Sequence, residues 1–514
     1  MLARMHDYVV VGAGSAGCVV AARLSEEPST RVLLLEAGPP ARGLQIAIPA
    51  AFSRLYDSRF DWGLRTEPQA GLAGREVVFP RGKVVGGSSS INAMIAVRGD
   101  AADYDAWGPG WDWAAVEPAY GRSERCFPRE QLRRPHPLSL AFLEAAASVG
   151  IPRVDDLNQA GPRGAALVPV SQRRGRRFSV ADGYLRPARR RPNLDLVTGA
   201  HATRVLLDGD RATGVRYVRN GVASEVEVRR GVVLCAGAIG SPHLLLCSGI
   251  GPADELAAAG VEPVHDLPGV GKNLLDHVAT GILARSAGGG TLAAADTLVN
   301  LLRWLVLRDG PLTSNVAEAA AFVQIGPGRR TADLELLFAP VLFQDEGLTR
   351  PTEHGVTIAA VLLAPRSSGA VTLHSADPLV PPAIDPCYLA DPAREDERML
   401  LHGLRLARRV AAAEPLARHL GDELLPGAGA TSDEELLAHV RAAAQTLYHP
   451  VGTCRLGDDQ SAVVDRSLRV HGLRQLHVAD ASVMPSLPSG HTNWPTVMVA
   501  ERAVELLRGG PAGS

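Results

Sequence analysis

Two histidines near the carboxyl end of the chain are the residues best suited to acid–base chemistry. His449 lies in the stretch Tyr-His-Pro-Val-Gly-Thr-Cys at 448–454, and His491 lies in Ser-Gly-His-Thr-Asn-Trp-Pro-Thr at 489–496. Histidine is the commonest general base at neutral pH, and an alcohol needs a base to lose its hydroxyl proton as hydride leaves carbon. A single histidine is more often structural than catalytic, and the sequence does not decide a role for His277.

A glycine-rich turn near the amino end predicts a dinucleotide site. Gly12, Gly14 and Gly17 follow the spacing GxGxxG between an apolar run, Tyr8–Val11, and a helical stretch. The glycines allow a tight turn and let the backbone approach a pyrophosphate at a helix N-terminus. Glu36 ends the next apolar run, about 20 residues further on, where an acid accepts hydrogen bonds from ribose hydroxyls. An acid there argues against a 2′-phosphate, so FAD or NAD fits better than NADP.

A second segment of small residues, 81–92, reads Arg-Gly-Lys-Val-Val-Gly-Gly-Ser-Ser-Ser-Ile-Asn. It lacks the order of a nucleoside-triphosphate loop because Lys83 precedes the glycine pair. Small residues there would permit close backbone approach to a flat ring or a pyrophosphate.

The composition excludes several classes of protein. The 514 residues carry 53 basic and 55 acidic side chains, and the hydrophobic fraction is 46%. A nucleic-acid binder normally shows a basic excess, and a disordered chain shows fewer hydrophobic residues. Lys83 and Lys272 are the only lysines, a bias more typical of a GC-rich genome than of a function. At about 150 residues per domain, the length predicts two large domains, or one with insertions.

The same composition predicts a location. Six scattered cysteines without metal-ligand spacing fit a reducing compartment. Residues 1–6 leave no room for a signal peptide before the first apolar run, and no run of about 20 apolar residues occurs. We therefore expect a cytoplasmic protein without a spanning segment, with peripheral contact to the inner membrane left open.

The elements that must position these residues begin with alternating strands and helices, which predict an α/β domain with a parallel sheet. Residues 193–197, 203–207 and 213–218 are separated by turn residues and predict hairpins. The arginine run 173–177 is typical of a solvated loop. The apolar segment Leu298–Leu307 predicts a helix that could line an entrance or touch a membrane, although a core or interface helix is favoured. A further amphipathic helix is predicted over Asp433–Leu447 and a final helix over Thr496–Leu507.

Taken together, these stretches resemble the glucose–methanol–choline (GMC) oxidoreductase family, in its choline and alcohol dehydrogenase-like bacterial branch. The glycine turn, the segment Gly82–Asn92, the pair Gly237–Pro242 and Ser248–Gly251, and the histidine segments occur in family order. The resemblance implies an α/β (α+β overall) protein in which a Rossmann-like FAD-binding domain is interleaved with a substrate domain. The substrate domain is expected to hold a mostly antiparallel sheet with helices. We place the FAD-binding domain at 1–285 and 440–514, interrupted by parts of the substrate domain around 100–190, and the main part of the substrate domain at 286–439.

The resemblance also implies roles for individual residues. His449 takes the place of the catalytic histidine, and His491 that of the second active-site residue. The glycine turn and Glu36 would hold the ADP half of FAD, and Val205 would meet adenine through its backbone. The residues expected to bind FAD are Gly12, Gly14, Ser15, Gly17, Glu36, Ala37, Gly38, Trp62, Gly82, Val85, Gly86, Gly87, Ser88, Asn92, Ala93, Val205, Ala236, Asp480, Ala481, Asn493, Pro495 and Thr496. No metal is expected.

Two departures from the family pattern bear on the function. Some members bind FAD covalently through a histidine just before the signature asparagine, but this chain has Ile91 there, so we expect noncovalent FAD. His491 stands where many bacterial choline and alkanol dehydrogenases resemble one another in having asparagine, which leaves oxidase and dehydrogenase both open. The implied reaction is oxidation of a primary alcohol to an aldehyde, with oxygen or a quinone-type compound as acceptor. The alternative is a hydroxynitrile lyase whose FAD has no redox role.

Overall fold

The computed structural model describes residues 5–159, 163–326 and 330–509, and it contains two seven-stranded sheets. The ends of the predicted FAD-binding segments, 1–4 and 510–514, lie outside the described residues. Among those described, no helix combines the length and the hydropathy that crossing a bilayer requires.

The first sheet is built around the apolar strand His6–Val11, whose central valines are fully buried. A strand covered on both faces must be apolar throughout, as in parallel sheets. Val32–Glu36 and Val222–Leu234 pair with it in parallel. Leu194–Thr198 pairs in parallel with Val32–Glu36, and Leu476–Val478 pairs in parallel with Val222–Leu234. The remaining strands, Ala200–Asp208 and Arg211–Arg219, pair antiparallel with each other, and the second of them also pairs antiparallel with Val222–Leu234. The predicted α/β class with a parallel sheet is confirmed.

One of the predicted hairpins is wrong. Residues 200–219 do form an antiparallel hairpin, but the strand Leu194–Thr198 pairs in parallel with Val32–Glu36 instead. Gly199, with φ +69°, turns the chain between this strand and the next. A glycine turn therefore separates two strands that do not pair, although short-range spacing makes them look like hairpin partners.

The second sheet is antiparallel throughout. Its strands are Gly164–Leu167, Val278–Ser286, Ala319–Val323, Leu334–Ala339, Gly355–Leu362, Leu420–Leu425 and Gln445–Thr446. The helix Glu395–Ala411 packs across this sheet, and Gly403 lets it approach, because a Cβ there would lie 2.6 Å from the Cβ of Ala360. The predicted antiparallel sheet with helices is confirmed.

Helices cover both sheets. Ser15–Leu24 packs against Asn493–Leu507, so the first and last long helices of the described chain are neighbours. The other helices are Leu44–Ala47, Ala101–Asp105, Trp113–Cys126, Pro137–Ser148, Arg186–Ala188, Gly237–Cys247, Ala253–Ala258, Leu298–Leu307 and Asp433–Ala443. Three two-stranded pairs complete the fold: Ile250–Gly251 with His265–Asp266, Ala370–Thr372 with Ala383–Asp385, and Gln172–Arg173 with Arg176–Arg177.

The expectation of a core or interface helix at Leu298–Leu307 fits only one side of that helix. Trp304 is completely buried, and its indole nitrogen donates to the Gly175 carbonyl. Six other apolar residues of the helix are exposed to solvent, with Val299 at 75% and Val306 at 77%.

Candidate active site

A cavity of about 470 Å³ receives side chains from both sheets and from the histidine segments. Ligand pockets for small molecules usually measure about 300–1,000 Å³. The cavity therefore has the size of a small-molecule ligand pocket.

Two glycines of the glycine turn have different surroundings: Gly17 is packed against the strand, and Gly14 faces the cavity. A Cβ on Gly17 would lie 1.8 Å from the carbonyl oxygen of Gly12, so Gly17 permits the helix Ser15–Leu24 to pack on its strand. A Cβ on Gly14 would meet nothing nearer than 3.9 Å, and Gly14 lines the cavity. The backbone is thus bare where a pyrophosphate could approach the helix N-terminus.

Glu36 lies in the cavity wall at the end of its strand. Its carboxylate accepts hydrogen bonds from the backbone nitrogens of Ala13 (2.8 Å) and Gly38 (2.7 Å). Burial raises its pKa to about 7, although these hydrogen bonds and the charge of Lys83 oppose the rise. Lys83 also lines the cavity, and its Nζ lies 4.5 Å from the ring centre of Trp62.

The segment of small residues closes over the glycine turn. A Cβ on Gly87, where φ is +52°, would lie 2.6 Å from the Cα of Gly14. Asn92, further along the segment, lines the cavity, and its Oδ1 accepts from Nη1 of Arg177 at 2.9 Å and from the backbone of Met94. The amide nitrogen of Asn92 is the group that these two hydrogen bonds leave free.

Arg177 corrects the prediction of a solvated arginine loop at 173–177. Its side chain is buried, and it donates to the carbonyl of Ile46 as well as to Asn92. Burial lowers its pKa to about 9. The sequence offered one signal that was missed: Phe178 and Val180 follow directly and begin a buried stretch.

The side-chain amide of Asn493, near the carboxyl end of the chain, brings a hydrogen-bond donor to the cavity. Oδ1 of Asn493 accepts from the Ser15 hydroxyl at 2.7 Å, while Nδ2 is buried without a partner in the structure. Asn493 lines the cavity at the start of the last helix. A buried amide N–H that lacks an acceptor fits a ligand rich in acceptors, as the pyrimidine edge of a flavin is.

The structure brings most of the predicted cofactor residues together. The predicted residues that line the cavity are Gly12, Gly14, Ser15, Glu36, Ala37, Trp62, Gly82, Gly87, Ser88, Asn92, Ala93, Ala236, Asp480, Ala481, Asn493 and Thr496, with His449 and His491. Those that do not line it are Gly17, Gly38, Val85, Gly86, Val205 and Pro495.

Two of these outliers have clear physical explanations. A Cβ on Gly38 would lie 2.0 Å from the carbonyl oxygen of Lys83, so this glycine serves loop packing. The backbone N–H of Val205 is already donated to the Ser248 hydroxyl at 2.8 Å. Ala202 and Thr203, earlier on the same strand, line the cavity instead and were missed by the sequence analysis.

His449 stands between two other histidines. Its Nδ1 lies 3.0 Å from Nδ1 of His277, and its ring centre lies 4.7 Å from that of His491. Burial, together with the positive charge that either neighbour would carry, lowers the pKa of His449 well below its usual value. The neutral imidazole is therefore the form present at neutral pH.

The hydrogen bonds of His277 select the tautomer of His449. Nε2 of His277 lies 3.2 Å from the Leu363 carbonyl oxygen, which can only accept, so His277 carries its proton on Nε2. Burial lowers the pKa of His277 to about 3, so its Nδ1 is an unprotonated acceptor. His449 must then donate from Nδ1. Its Nε2 keeps a free lone pair and has no partner among the described residues.

Asp276 fixes the backbone of the same histidine. Its Oδ1 accepts from the N–H of His449 at 2.8 Å, and its Oδ2 accepts from the hydroxyls of Tyr388 and Thr446 at 2.5 Å each. The neighbouring pair Asp276–His277 thus holds both the main chain and the ring of His449. Sequence reasoning left His277 undecided and did not consider Asp276.

His491 has a carboxylate behind it. Its Nε2 lies 3.1 Å from Oε1 of Glu335, a residue of the second sheet with 0% exposure. Oε2 of Glu335 has no partner in the structure. Because Nε2 is engaged by Glu335, the ring nitrogen that His491 leaves for a ligand is Nδ1.

Comparison with known proteins identifies the class of protein. Two family models match, both described as GMC oxidoreductase, over residues 6–279 and 365–500. These matches cover most of the chain, and the chain belongs to the GMC oxidoreductase family.

Several relatives are similar over nearly the full length of this chain. An alcohol dehydrogenase [acceptor] of Pseudomonas putida is 40% identical over 98% of this chain and 96% of its own. The mitochondrial choline dehydrogenase of Homo sapiens is 40% identical over 99% and 90%. An uncharacterized GMC-type oxidoreductase of Mycobacterium tuberculosis is 47% identical over 98% and 99%.

Solved structures agree with the fold. The crystal structure of pyridoxine 4-oxidase from Mesorbium loti has a TM-score of 0.89 and 33% identity, covering 97% of this chain and 98% of that one. A formate oxidase structure has a TM-score of 0.91 and 27% identity over 98% of both chains. The protein is an FAD-dependent oxidoreductase of the alcohol dehydrogenase and oxidase type, with a Rossmann-like cofactor fold.

Proposed function

We propose that the protein oxidises a primary alcohol to an aldehyde, with His449 as the general base. The observation that carries the proposal is the free Nε2 of a buried, neutral His449 in the wall of the cavity. FAD supplies the hydride acceptor when it is bound. Nε2 of His449 takes the hydroxyl proton. His491, whose ring Glu335 holds through Nε2, orients the substrate oxygen, and a proton on its Nδ1 would stabilise the developing negative charge.

The proposed cofactor contacts follow from the cavity wall. Gly14 and Glu36 would hold the pyrophosphate and ribose, and Asn92 and Asn493 would present amide N–H groups to the flavin. We further propose that FAD is held noncovalently, because Ile91 cannot form the histidyl link.

The surroundings of the histidines favour an uncharged alcohol. Apart from the amide of Gln445, the side chains of the second sheet that line the cavity are apolar or hydroxylic, such as Leu337, Thr357 and Ala359. Among the described residues, the carboxylates of the cavity wall are Glu36 and Asp480, which belong to the cofactor side. Asp276 and Glu335, the carboxylates nearest the histidines, are buried and do not line the cavity. A quaternary ammonium substrate would therefore have no carboxylate partner on the cavity wall beside His449.

The domain division is also a proposal. The strand Gly164–Leu167, within the interruption around 100–190, and the strand Val278–Ser286 both belong to the second sheet. We propose that the substrate domain takes Val278–Ser286 in addition to 286–439 and the part around 100–190.

The experiment compares His449→Ala with a matched control, His402→Ala, whose histidine is exposed on the helix Glu395–Ala411. General-base catalysis contributes about 10²–10⁴ in rate. We expect His449→Ala to lose that factor in kcat with a dye acceptor while it keeps yellow FAD. His402→Ala should match the unaltered protein, and normal turnover of His449→Ala would refute the assignment.

Experiments with the unaltered protein distinguish an oxidoreductase from a hydroxynitrile lyase and identify the electron acceptor. Anaerobic addition of an aliphatic, aryl or furanic alcohol should bleach the flavin absorbance, whereas a hydroxynitrile lyase would leave it unchanged. Comparing turnover with oxygen and with a quinone then identifies the acceptor. Faster turnover of choline than of all uncharged alcohols would contradict the proposed substrate class.

A further inference from the structure

The strongest feature outside the active site is the exposed side of the helix Leu298–Leu307, here called the apolar helix. Leu298, Val299, Leu302, Leu305 and Val306 are all exposed. Their spacing places them along one continuous stripe, because residues three and four apart share a helix face. Contiguous exposed apolar patches on a monomer mark a surface that contacts something else.

The apolar helix is firmly attached to the rest of the molecule. Trp304 packs with Ile48, Ala51 and Leu312 in a small separate core. Thr297 caps the helix N-terminus by accepting from the backbone of Asn300 at 3.2 Å. The buried side of the helix is therefore fixed to the rest of the protein, and the apolar stripe faces solvent.

A group of arginines surrounds the carboxyl end of the helix. The Trp304 indole donates to the carbonyl of Gly175, and Gly175 lies beside Arg133. Asp309, just after the helix, forms ion pairs with Arg134 and Arg303. The arginine cluster consists of Arg133, Arg134, Arg173, Arg174, Arg176, Arg303 and Arg308.

Most of the charge in this cluster is uncompensated. Arg133, Arg173, Arg174 and Arg176 are exposed, and in the described parts of the chain none forms an ion pair. Asp309 serves two arginines at once, at 3.0 Å from Arg134 and 2.6 Å from Arg303. The local positive excess contrasts with the net charge of −2 for the whole chain.

We propose that the apolar helix and the arginine cluster together form a docking surface for an anionic lipid membrane. Aliphatic side chains beside clustered arginines are the pattern of an element that lies in the membrane interface. A second copy of the chain fits less well, because a twofold contact would set the arginine cluster against itself.

The position of this surface relates it to the cavity. The segment Pro49–Leu55 packs under the apolar helix through Ala51, and Phe52 of the same segment lines the cavity. Docking would bring this wall of the cavity close to the lipid, from which an apolar substrate or acceptor could enter.

The test is vesicle flotation with the holoenzyme. Vesicles of phosphatidylcholine alone are compared with vesicles in which a third of the lipid is phosphatidylglycerol, at low salt and at high salt. We expect binding to the anionic vesicles that weakens as salt rises, because the Debye length falls to about 3 Å at 1 M. Failure to bind anionic vesicles at low salt would overturn the proposal, as would equal, salt-independent binding to both lipids.

Variants separate the two parts of the surface. Val299→Asp with Val306→Asp should weaken vesicle binding at least tenfold, and Arg174→Gln with Arg176→Gln should weaken it roughly fivefold for each arginine. The control, Val222→Asp with Val264→Asp, changes exposed valines elsewhere and should bind normally. Dye-linked turnover without lipid should remain unchanged in all variants.

Two outcomes with these variants would contradict the proposal. If the Val299 and Val306 changes bind vesicles like the control, the helix is not the docking element. If sedimentation shows a dimer that these changes dissociate while no form binds vesicles, a second copy occupies the surface instead.

Discussion

At the scale of single residues, the chemistry of His449 depends on where one proton sits. The carbonyl of Leu363 holds a proton on His277 Nε2, and this leaves His277 Nδ1 to accept from His449. The ring of His449 then has its lone pair on the nitrogen that is free in the cavity. An imidazole with the opposite tautomer would offer a donor there and could not remove a proton.

Changing His277 tests this arrangement. His277→Leu removes the acceptor, so His449 is free to take the other tautomer. We expect kcat to fall about 10–100-fold, the loss typical of residues that orient a metal-binding histidine. His277→Asn keeps an acceptor oxygen near the position of Nδ1 and should recover part of kcat. Steady-state kinetics should show the loss in kcat, with KM little changed. Equal losses in both variants would indicate a packing role only.

The pH profile gives a second test at this scale. Burial and the neighbouring His491 and His277 lower the pKa of His449 well below its usual 6.5, and Arg81 acts in the same direction. A base works unprotonated, so kcat/KM should be constant above about pH 6.5 and fall only as the pH drops further. Measurement of kcat/KM from pH 5 to 9 checks this. An acid limb centred above pH 6.5 would contradict the assignment.

At the scale of elements, the glycine turn combines two different requirements in six residues. Gly17 is needed because the helix touches the strand, and Gly14 is needed only if something else approaches the backbone. The protein alone leaves room for a Cβ at Gly14, which supports the proposal that the cofactor approaches the backbone there.

Two alanine substitutions separate these requirements. Gly14→Ala should fold normally and bind FAD much more weakly, because its Cβ points into the bare space beside the turn. Gly17→Ala should lower the melting temperature of the FAD-free protein, because its Cβ would overlap the Gly12 carbonyl. Thermal unfolding without FAD and titration with FAD measure the two effects. Unchanged FAD affinity in folded Gly14→Ala would contradict the proposed cofactor position.

The elements that the sequence predicted best are those with a local physical signature. Continuous apolar strands such as His6–Val11 and the final helix, observed as Asn493–Leu507, follow from burial and periodicity. The amphipathic helix predicted to Leu447 ends at Ala443, because the chain extends to pair Gln445–Thr446 with the second sheet. Pairing partners depend on the whole fold, and the nearest segments of sequence do not determine them.

At the scale of the whole molecule, the cavity is bounded by both sheets, so the cofactor contributes to holding distant parts of the chain together. Residues from 11 to 496 line it. A ligand that binds only the folded state stabilises it by about 2.7 kcal/mol when present at 100 times its Kd.

We therefore expect the melting temperature to rise with added FAD. Because residue 91 is isoleucine, acid precipitation should release all of the yellow cofactor into the supernatant. Differential scanning fluorimetry and the absorbance of the supernatant measure these two quantities. Colour retained in the pellet would show a covalent link and contradict noncovalent binding.

The site shows the same limit of sequence reasoning at this scale. Residues near recognisable motifs, such as His449 and Asn92, were found, because a motif carries its own chemistry. Glu335 and Arg177 were missed, because each acts through a partner far along the chain and has no motif around it. Their roles appear only when the two sheets are brought together.

The two lysines differ in a way that makes them a chemical reporter. Lys272 is at the surface, paired with Glu255, whereas Lys83 lies in the cavity over Trp62, beside Glu36. Amine-reactive reagents do not modify arginine, so these side chains and the N-terminal amine are the sites that such a reagent can label. Labelling at Lys272 would stay constant while labelling at Lys83 rises as FAD is removed. Mass spectrometry would measure the ratio of labelling in the Lys83 peptide to labelling in the Lys272 peptide. This ratio would report the fraction of protein with bound FAD, without any absorbance measurement.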